Sequence, residues 1–363
     1  MSLLYDESQQ QIATEAERVL TASYSGARLK ELLETKGRFD EAFWKTCGEQ
    51  GWTALALPEE YGGLGLDLVE LGLIAEQCGA VACGAPFLGS SYAAAQAILR
   101  HGDDATKTQW LPRLASGEIK GAIAFAEGQD TLPASPALRL SNGRLTGEKP
   151  AVPGGGAAEI AVVLASGEHG PVLALVSLDQ AGVTRSVLNT FDNSRIAADL
   201  GFDGAEATAL DGAGLDAARA ILRLQAVVTA HEQVGGAQKM LTTERDYALT
   251  RRAFGQPIGA FQSVKHRIAE DYVLVELARA NAQHAAVNAD HPDFGRYAAA
   301  ARLSATEAYD TVSRNATQVH GGIGVTWEAD LHLHQRRART LAIEGGNLIF
   351  WEDELVDELG KVA

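Results

Sequence analysis

The stretch Arg251-Arg-Ala-Phe-Gly-Gln-Pro-Ile-Gly-Ala-Phe-Gln262 decides how the second half of the chain is organised. It closes a long helical pattern at Gly255 and Pro257, because glycine favours helix ends and proline lacks the amide that a continuing helix needs. A second stretch, Gln318-Val-His-Gly-Gly-Ile-Gly324, ends another predicted helix at paired glycines. Exposed amides and missing side chains let a phosphate or a ring lie close to such a helix end. Both stretches are therefore candidate ligand-binding sites.

Helical periodicity surrounds both stretches from about residue 215 to the end of the chain. Apolar residues recur three and four apart, as on one face of a helix. The pattern predicts helices over Asp216–Phe254, Phe261–Asn288, Phe294–Val319, Trp327–Arg339 and Leu348–Leu359. Helices with such brief connections form an antiparallel bundle. We predict that residues 213–363 are a carboxy-terminal helical bundle, of the four-helix type.

The preceding residues divide into a helical and a β region. Residues 1–117 show helical spacing, interrupted by the glycine-rich loop Leu57-Pro-Glu-Glu-Tyr-Gly-Gly-Leu-Gly-Leu66. Residues 118–212 have short apolar or alternating runs, separated by turn clusters such as Ser141-Asn-Gly143, as in β-hairpins. The predicted fold class is therefore α+β and multidomain: a helical amino-terminal domain, a middle β-barrel or sandwich, and the helical bundle.

Composition limits the partners of the chain. The 363 residues carry a formal charge of −16, which disfavours nucleic acid and anionic membrane surfaces. Any polyanionic ligand then needs a local basic pocket, for which the run Arg336, Arg337 and Arg339, together with Arg251 and Arg252, is a candidate. We expect neither nucleic acid nor a membrane as a partner.

Cysteine use and the amino terminus suggest a cytoplasmic location. Three cysteines at irregular spacing are too few for a disulfide framework, and the first residues lack the basic-then-apolar plan of a signal peptide. No stretch approaches the ~18 apolar residues of a membrane span. Glu328, Asp330, His332 and His334 cluster in sequence, but the two histidines do not share a helix face, so we predict no metal site.

Together, the two glycine-containing stretches resemble the carboxy-terminal half of acyl-CoA dehydrogenases, flavoproteins that desaturate coenzyme A thioesters. The loop Leu57–Leu66, the segment Trp110-Leu-Pro-Arg-Leu-Ala-Ser-Gly117 and the order helical, β, helical are also similar to that family. Each feature alone has a simpler interpretation: an arginine favoured by the helix dipole, core phenylalanines, a glycine helix stop. Their joint occurrence favours the resemblance.

The resemblance implies FAD as the cofactor and indicates which residues bind it. Arg251 matches the family's pyrophosphate arginine, and Phe254 and Gln262 match its ring and polar contacts. Gln318 and Gly322 match residues that reach the adenosine half of FAD in a neighbouring subunit. The resemblance therefore implies at least a homodimer, or a homotetramer or mixed tetramer.

The β domain departs from the family pattern for binding the isoalloxazine ring. Phe125-Ala-Glu-Gly-Gln-Asp130 keeps Glu127 as a candidate flavin-binding residue, but lacks the family's threonine, proline and serine. Gly147-Glu-Lys-Pro-Ala-Val-Pro153 has Ala151 where the family has a tryptophan. The hydroxyls and the aromatic ring that contact the flavin in the family are therefore missing.

The catalytic base is displaced as well. Desaturation needs a carboxylate that removes the α-proton, and most family members carry it in the segment Ile-Tyr-Glu-Gly-Thr. Here Ile343-Glu344-Gly345-Gly346-Asn347 puts Glu344 at the tyrosine position and Gly345 at the glutamate position. Glu344 is the candidate base, displaced by one residue, or else a solvated side chain at the start of the last helix. The family's alternative base position reads Gln225-Ala226.

These departures resemble a subgroup from bacterial steroid and related catabolism, in which two unlike acyl-CoA dehydrogenase subunits form a mixed tetramer with FAD between them. The resemblance implies dehydrogenation of an acyl-CoA thioester, with electron transfer flavoprotein as acceptor. The alternative is a non-catalytic subunit that completes a partner's FAD site. A flavin oxidase or monooxygenase on the same fold is the weakest option.

Overall fold

The computed structural model describes residues 5–38, 40–83 and 86–360. The chain divides into two compact units, one of Met1–Lys30, Gly72–Cys83 and Ala226–Ala363, the other of Glu31–Leu71 and Gly84–Gln225. The predicted order of a helical region, a β region and a helical region is confirmed. The domain boundaries at 117 and 212 stay a prediction. No helix among the described residues is both long and apolar enough to cross a membrane.

The described part of the amino-terminal region contains the helices α1 (Glu7–Ser23), α2 (Gly26–Glu34), α3 (Glu41–Glu49), α4 (Leu68–Ala80), α5 (Pro86–His101) and α6 (Asp104–Ala115). Aspartates start three of them, since Asp6, Asp40 and Asp103 accept hydrogen bonds from first-turn amides. The predicted loop between α3 and α4 is confirmed. At Gly63 a Cβ would lie 2.0 Å from the Leu57 carbonyl oxygen, so this close approach requires glycine.

The β region is one seven-stranded sheet. Its strands are β1 (Gly121–Ala124), β2 (Arg139–Ser141), β3 (Arg144–Val152), β4 (Ile160–Gly167), β5 (Gly170–Ser177), β6 (Val183–Val187) and β7 (Ala198–Ala209). Strand β4 pairs with both β2 and β5, so the path β4-β2-β3-β7-β5 closes on itself as a small barrel. Its interior is apolar, including Leu145, Val163 and Leu200, each fully buried. Of the two predicted forms, the barrel is therefore the one observed.

The carboxy-terminal region contains α7 (Leu215–Thr250), α8 (Gln262–Val287), α9 (Phe294–His320), α10 (Leu331–Leu341) and α11 (Leu348–Gly360). Within the bundle, α8 and α11 pack on α9. Alanines such as Ala278, Ala282 and Ala305 are fully buried, which lets the helices approach closely. This confirms the predicted helical bundle.

Two predicted helix bounds are wrong. Helix α7 ends at Thr250 and not at Phe254, because Arg252–Ala253 (β8) and Gln256–Pro257 (β9) form a short hairpin. Helix α10 starts at Leu331 and not at Trp327, because Asp330 has a left-handed backbone with φ of 60°. Such a residue interrupts a right-handed helix.

Candidate cofactor-binding site

The β8–β9 hairpin presents Phe254 to solvent. The phenyl side chain is 96% exposed, and its backbone φ of 49° is unfavourable for an aromatic residue. The turn is nevertheless well held, since Arg252 Nη2 donates to the Gly255 carbonyl at 2.7 Å and Ile258 N donates to the Arg251 carbonyl at 2.8 Å. A strained and fully exposed aromatic side chain on a fixed turn is typical of a binding surface.

Cationic and amide groups flank this hairpin. Arg251 is exposed directly after the last turn of α7, and Gln262 is exposed in the first turn of α8. Helix α8 starts without a capping side chain, so its first amides and the positive end of its dipole face outward. The hairpin therefore joins an arginine to a helix start, an arrangement that suits a pyrophosphate.

The end of α9 lies against the end of α7. The Tyr247 ring stacks on the His320 ring with centroids 4.0 Å apart, and the Tyr247 hydroxyl approaches the His320 carbonyl at 3.5 Å. Arg251 follows Tyr247 by one helical turn, and Gln318 precedes His320 by two residues. The structure therefore brings the predicted residues of the two stretches to the same end of the bundle.

The glycines after α9 leave open space. Gly321 has φ of 64° and ψ of −140°, a conformation that is essentially restricted to glycine. A Cβ added at Gly321 or Gly322 would meet no atom of the chain within 4 Å. Gln318 beside them is exposed. This surface can receive a ligand close to the backbone, and it fits the pyrophosphate and adenosine parts of FAD.

Glu127 lies between β1 and β2 of the β region. Its carboxylate accepts hydrogen bonds from Lys149 Nζ at 2.6 Å, Ala137 N at 2.6 Å and Leu138 N at 3.2 Å. Burial acts to raise the pKa of Glu127, but the bonds from Lys149 and the two amides outweigh it and hold that pKa below its ordinary value. Lys149 is fully buried and also donates to the Phe125 carbonyl. Glu127 therefore neutralises a buried lysine.

Ala151 occupies a bulge in β3. The pairing of β3 with β7 shifts register between Lys149 and Val152, and Ala151 has φ of 49°. Its amide donates to Asp199 Oδ1 at 2.8 Å. A larger side chain would be strained in this conformation. The bulge thus offers neither a hydroxyl nor an aromatic ring, and this side of the chain does not fit the isoalloxazine contacts of the family.

Glu344 lies in the turn between α10 and α11. It is 8% exposed, so the alternative of a solvated side chain is wrong. Gly345 and Gly346 follow with φ of 68° and 109°, the unusual dihedrals that the sequence allows at this point. At the family's alternative base position, Gln225 is buried on α7 beside Ala226, and neither residue carries a carboxylate.

Arg302 holds the Glu344 turn in place, and sequence reasoning missed it. It is 1% exposed and its Nη2 donates to the carbonyl oxygens of Leu341 and, at 2.9 Å, Glu344. Its Nη1 donates to Gln233 Oε1 and Thr306 Oγ1, both at 2.6 Å. Arg302 thereby links α7, α9 and the end of α10. An arginine within an alanine-rich helical pattern was the available signal.

The predicted basic pocket from the arginine run does not form. Arg337 is 1% exposed and pairs with Glu232 Oε1 at 2.8 Å. Arg339 pairs with Asp310 at 3.0 Å, while Arg336 lies over the Trp327 ring at 5.8 Å. Because Arg337 is bound inside the bundle, the three arginines have separate partners and do not converge on one ligand.

The histidine cluster near α10 has its own contacts. His334 Nδ1 shares a hydrogen bond with the Tyr309 hydroxyl at 2.8 Å, and burial lowers the pKa of His334 to about 3. The His332 ring stacks on Trp327 with centroids 4.2 Å apart. Across residues 5–38, 40–83 and 86–360, no group of three or more His, Cys, Asp or Glu side chains could hold a metal ion.

Comparison with known families identifies the class of protein. The model described as Acyl-CoA dehydrogenase, N-terminal domain, matches residues 6–118, and the one described as Acyl-CoA dehydrogenase, C-terminal domain, matches residues 212–348. The chain belongs to the acyl-CoA dehydrogenase family. A similar structure of this family, a glutaryl-CoA dehydrogenase from Mycobacterium smegmatis, is a complex with FADH2. This confirms the family, the enzyme class and the cofactor predicted from the sequence.

Individual relatives cover nearly the whole chain. Acyl-CoA dehydrogenase IpdE2 of Mycobacterium tuberculosis is 30% identical over 332 residues, 91% of each chain. The structure titled Tcur3481-Tcur3483 steroid ACAD G363A variant is 28% identical with a TM-score of 0.89, and covers 98% of each chain. The ChsE4-ChsE5 complex from Mycobacterium tuberculosis is 25% identical with a TM-score of 0.89, and covers 99% of each chain.

Proposed function

We propose that this chain is one subunit of a mixed acyl-CoA dehydrogenase, in which FAD lies between it and a second, unlike subunit of the same family. The complex removes hydrogen from the α- and β-carbons of an acyl-CoA thioester. This chain supplies the pyrophosphate and adenosine contacts through Arg251, Phe254, Gln262, Gln318 and Gly322. The observation that carries the proposal is Phe254, fully exposed on a strained but fixed turn.

The Phe254 hairpin has the properties of an unfinished binding site. An exposed phenyl ring forgoes about 1.5–3 kcal/mol of burial. A left-handed conformation at a non-glycine residue adds about 1–3 kcal/mol of strain. Both costs are offset once a ring or a neighbouring chain covers the hairpin. Arg251 and the uncapped start of α8 next to it supply the positive charge that a pyrophosphate requires.

The β region supports an unlike partner. Ala151 offers no aromatic surface, and Asp199 already takes its amide. Glu127 is engaged by Lys149 and two backbone amides. A second subunit with intact flavin-ring contacts would supply what this chain lacks. Two similar structures are named for pairs of unlike components, which agrees with such an assembly.

FAD, when bound, accepts the hydride from the β-carbon of the thioester. The residues of this chain would hold the cofactor: the Arg251 guanidinium neutralises the pyrophosphate, and the glycine surface after α9 admits the adenosine. Electron transfer flavoprotein is the proposed acceptor of the electrons. Because one similar structure is titled a steroid ACAD, steroid-derived acyl-CoA thioesters are the first substrates to test.

Within this assembly Glu344 is the proposed base of the present chain. Glu344 is 8% exposed, so the residue is already largely shielded from water. Arg302 fixes its main chain through the carbonyl oxygen. The second candidate is a non-catalytic subunit whose partner carries the base, and the glycine at position 345, where most family members have glutamate, favours it.

Glu344→Gln separates these two candidates. In the complex purified from its own host, anaerobic addition of an acyl-CoA substrate should bleach the flavin absorbance. If Glu344 is the base, Glu344→Gln slows bleaching by about 100-fold or more while flavin content stays unchanged. Glu352→Gln, an exposed carboxylate on α11, is the matched control and should bleach at the wild-type rate. Bleaching of Glu344→Gln at the same rate would assign the base to the partner.

A further inference from the structure

Two carboxylates meet inside the helical bundle, outside the residues discussed so far. Glu244 on α7 and Asp271 on α8 are both fully buried, and their side chains contact each other. From α9, Asn315 Nδ2 donates to Asp271 Oδ1 at 2.7 Å. Three helices of the bundle therefore converge on one acidic pair.

The pair lacks the donors that two ionised carboxylates need. Among the described residues, no amide, amine or hydroxyl group donates to either oxygen of Glu244 or to Oδ2 of Asp271. Arg267 on α8 is the cation that faces the pair, and Glu270 on the same helix adds a further negative charge. Two buried like charges in contact repel strongly. A single proton held between them removes the repulsion and provides a hydrogen bond from one carboxyl group to the other.

The direction of the pKa shifts agrees with this geometry. Burial, and then the negative charge of Asp271, raise the pKa of Glu244 to about 9. Burial also raises the pKa of Asp271, against the hydrogen bond from Asn315. The folded chain therefore keeps one proton on the pair at neutral pH, where an unfolded chain would keep none.

The acidic pair lies beneath the cofactor-binding end of the bundle. Glu244 lies on α7 seven residues before Arg251, which directly follows the end of that helix, so about 10 Å along the helix axis separates the two. Asn315 precedes Gln318 by three residues, on one face of α9. The Tyr247–His320 stack joins the two helices near these ends. Contacts at the pair thus set the spacing of the helix ends that carry Arg251 and Gln318.

We propose that Glu244 and Asp271 share one proton that positions the ends of α7 and α9 for FAD, so that stability and cofactor retention are both linked to pH. The effect on FAD binding rests on the proposed function, whereas the shared proton does not. Glu244 and Asp271 act here as positioning residues.

The sign of the pH dependence follows from the extra proton of the folded state. Because the proton affinity of the pair is raised on folding, the stabilisation is fully present below the unfolded pKa of about 4.5. It is lost progressively as the pH rises towards about 9. Across that window the unfolding equilibrium constant gains about tenfold per pH unit from this pair.

The experiment compares the wild type with Glu244→Gln, whose amide donates to Asp271 without a bound proton. Glu270→Gln, an exposed carboxylate next to Asp271, is the matched control. Urea unfolding of the complex is measured from pH 6 to pH 9 at one protein concentration. The ratio of wild-type to Glu244→Gln unfolding constants should grow by about tenfold per unit, whereas Glu270→Gln follows the wild type. If Glu244→Gln does not fold, Asp271→Asn gives the same comparison.

Flavin retained after gel filtration is the second readout. The wild type should lose flavin as the pH rises, while Glu244→Gln retains it throughout. If the unfolding constants of the wild type and Glu244→Gln change in parallel from pH 6 to pH 9, the shared proton would be overturned. If the ratio of the unfolding constants changes with pH but the wild type and Glu244→Gln retain flavin equally, the link to the cofactor would be overturned. A third outcome is that neither the wild type nor any variant binds flavin, while the ratio of the unfolding constants still changes with pH. The proposed function and the effect on FAD binding would then both be wrong, and the shared proton would be retained.

Discussion

Arg251→Ala is expected to weaken FAD binding by the assembled enzyme about 10- to 100-fold. The substitution removes a charge-assisted interaction with the pyrophosphate that is worth about 1.5–3 kcal/mol. The FAD affinity of Arg251→Lys should lie between those of the wild type and Arg251→Ala, because lysine keeps the charge but not the planar pair of donors. Flavin fluorescence during titration of the deflavinated complex gives the affinity.

Arg245→Ala is the control for that substitution. Arg245 is exposed on α7, six residues before Arg251, and pairs with its neighbour Asp246 at 2.7 Å. Its removal should leave the FAD affinity within about twofold of wild type, since exposed ion pairs contribute little. An Arg251→Ala complex that binds FAD as tightly as Arg245→Ala would remove Arg251 from the site.

Glu232→Gln should give the largest loss of stability. It leaves the buried Arg337 guanidinium without the Glu232 carboxylate, and breaking such a buried pair costs about 3–5 kcal/mol. Arg337 also donates to the carbonyl oxygens of Cys83 and Ala82, so the loosened pair frees the chain just after α4. The free energy of unfolding is measured by urea denaturation at a fixed concentration of the complex.

The control for this change is Arg339→Ala, which breaks the more exposed pair with Asp310 and should cost less than about 1 kcal/mol. The double variant Glu232→Gln, Arg337→Met should recover part of the loss, because no buried charge remains. If Glu232→Gln costs no more than Arg339→Ala, the ion pair does not stabilise the bundle.

Most of the fold was predictable from local patterns. The change from helical spacing to alternating runs, and back again, identified three regions, and paired glycines marked the end of α9. The errors came from single backbone conformations. Phe254 and Asp330 adopt left-handed dihedrals that their side chains do not require, so the sequence predicted α7 too long and α10 too early.

The site was predictable only where the residues are near in sequence. Arg251, Phe254 and Gln262 belong to one motif, and their exposure on one hairpin and helix start agrees with the prediction. Lys149 neutralising Glu127, and Arg302 holding the Glu344 turn, depend on contacts between distant residues. The acidic pair of Glu244 and Asp271 could not be predicted for another reason. Helices α7 and α8 are contacted on several sides, so helical periodicity does not show which of their charged residues are buried.

We propose that FAD binds between this chain and an unlike partner. The most direct test of this proposal is the ratio of flavin to protein, measured for the chain expressed alone and for the complex purified from its own host. We expect the chain alone to be colourless, and the complex to be yellow with one FAD for each pair of unlike chains. A homo-oligomer that binds one FAD per chain and is bleached by acyl-CoA without a partner would contradict it.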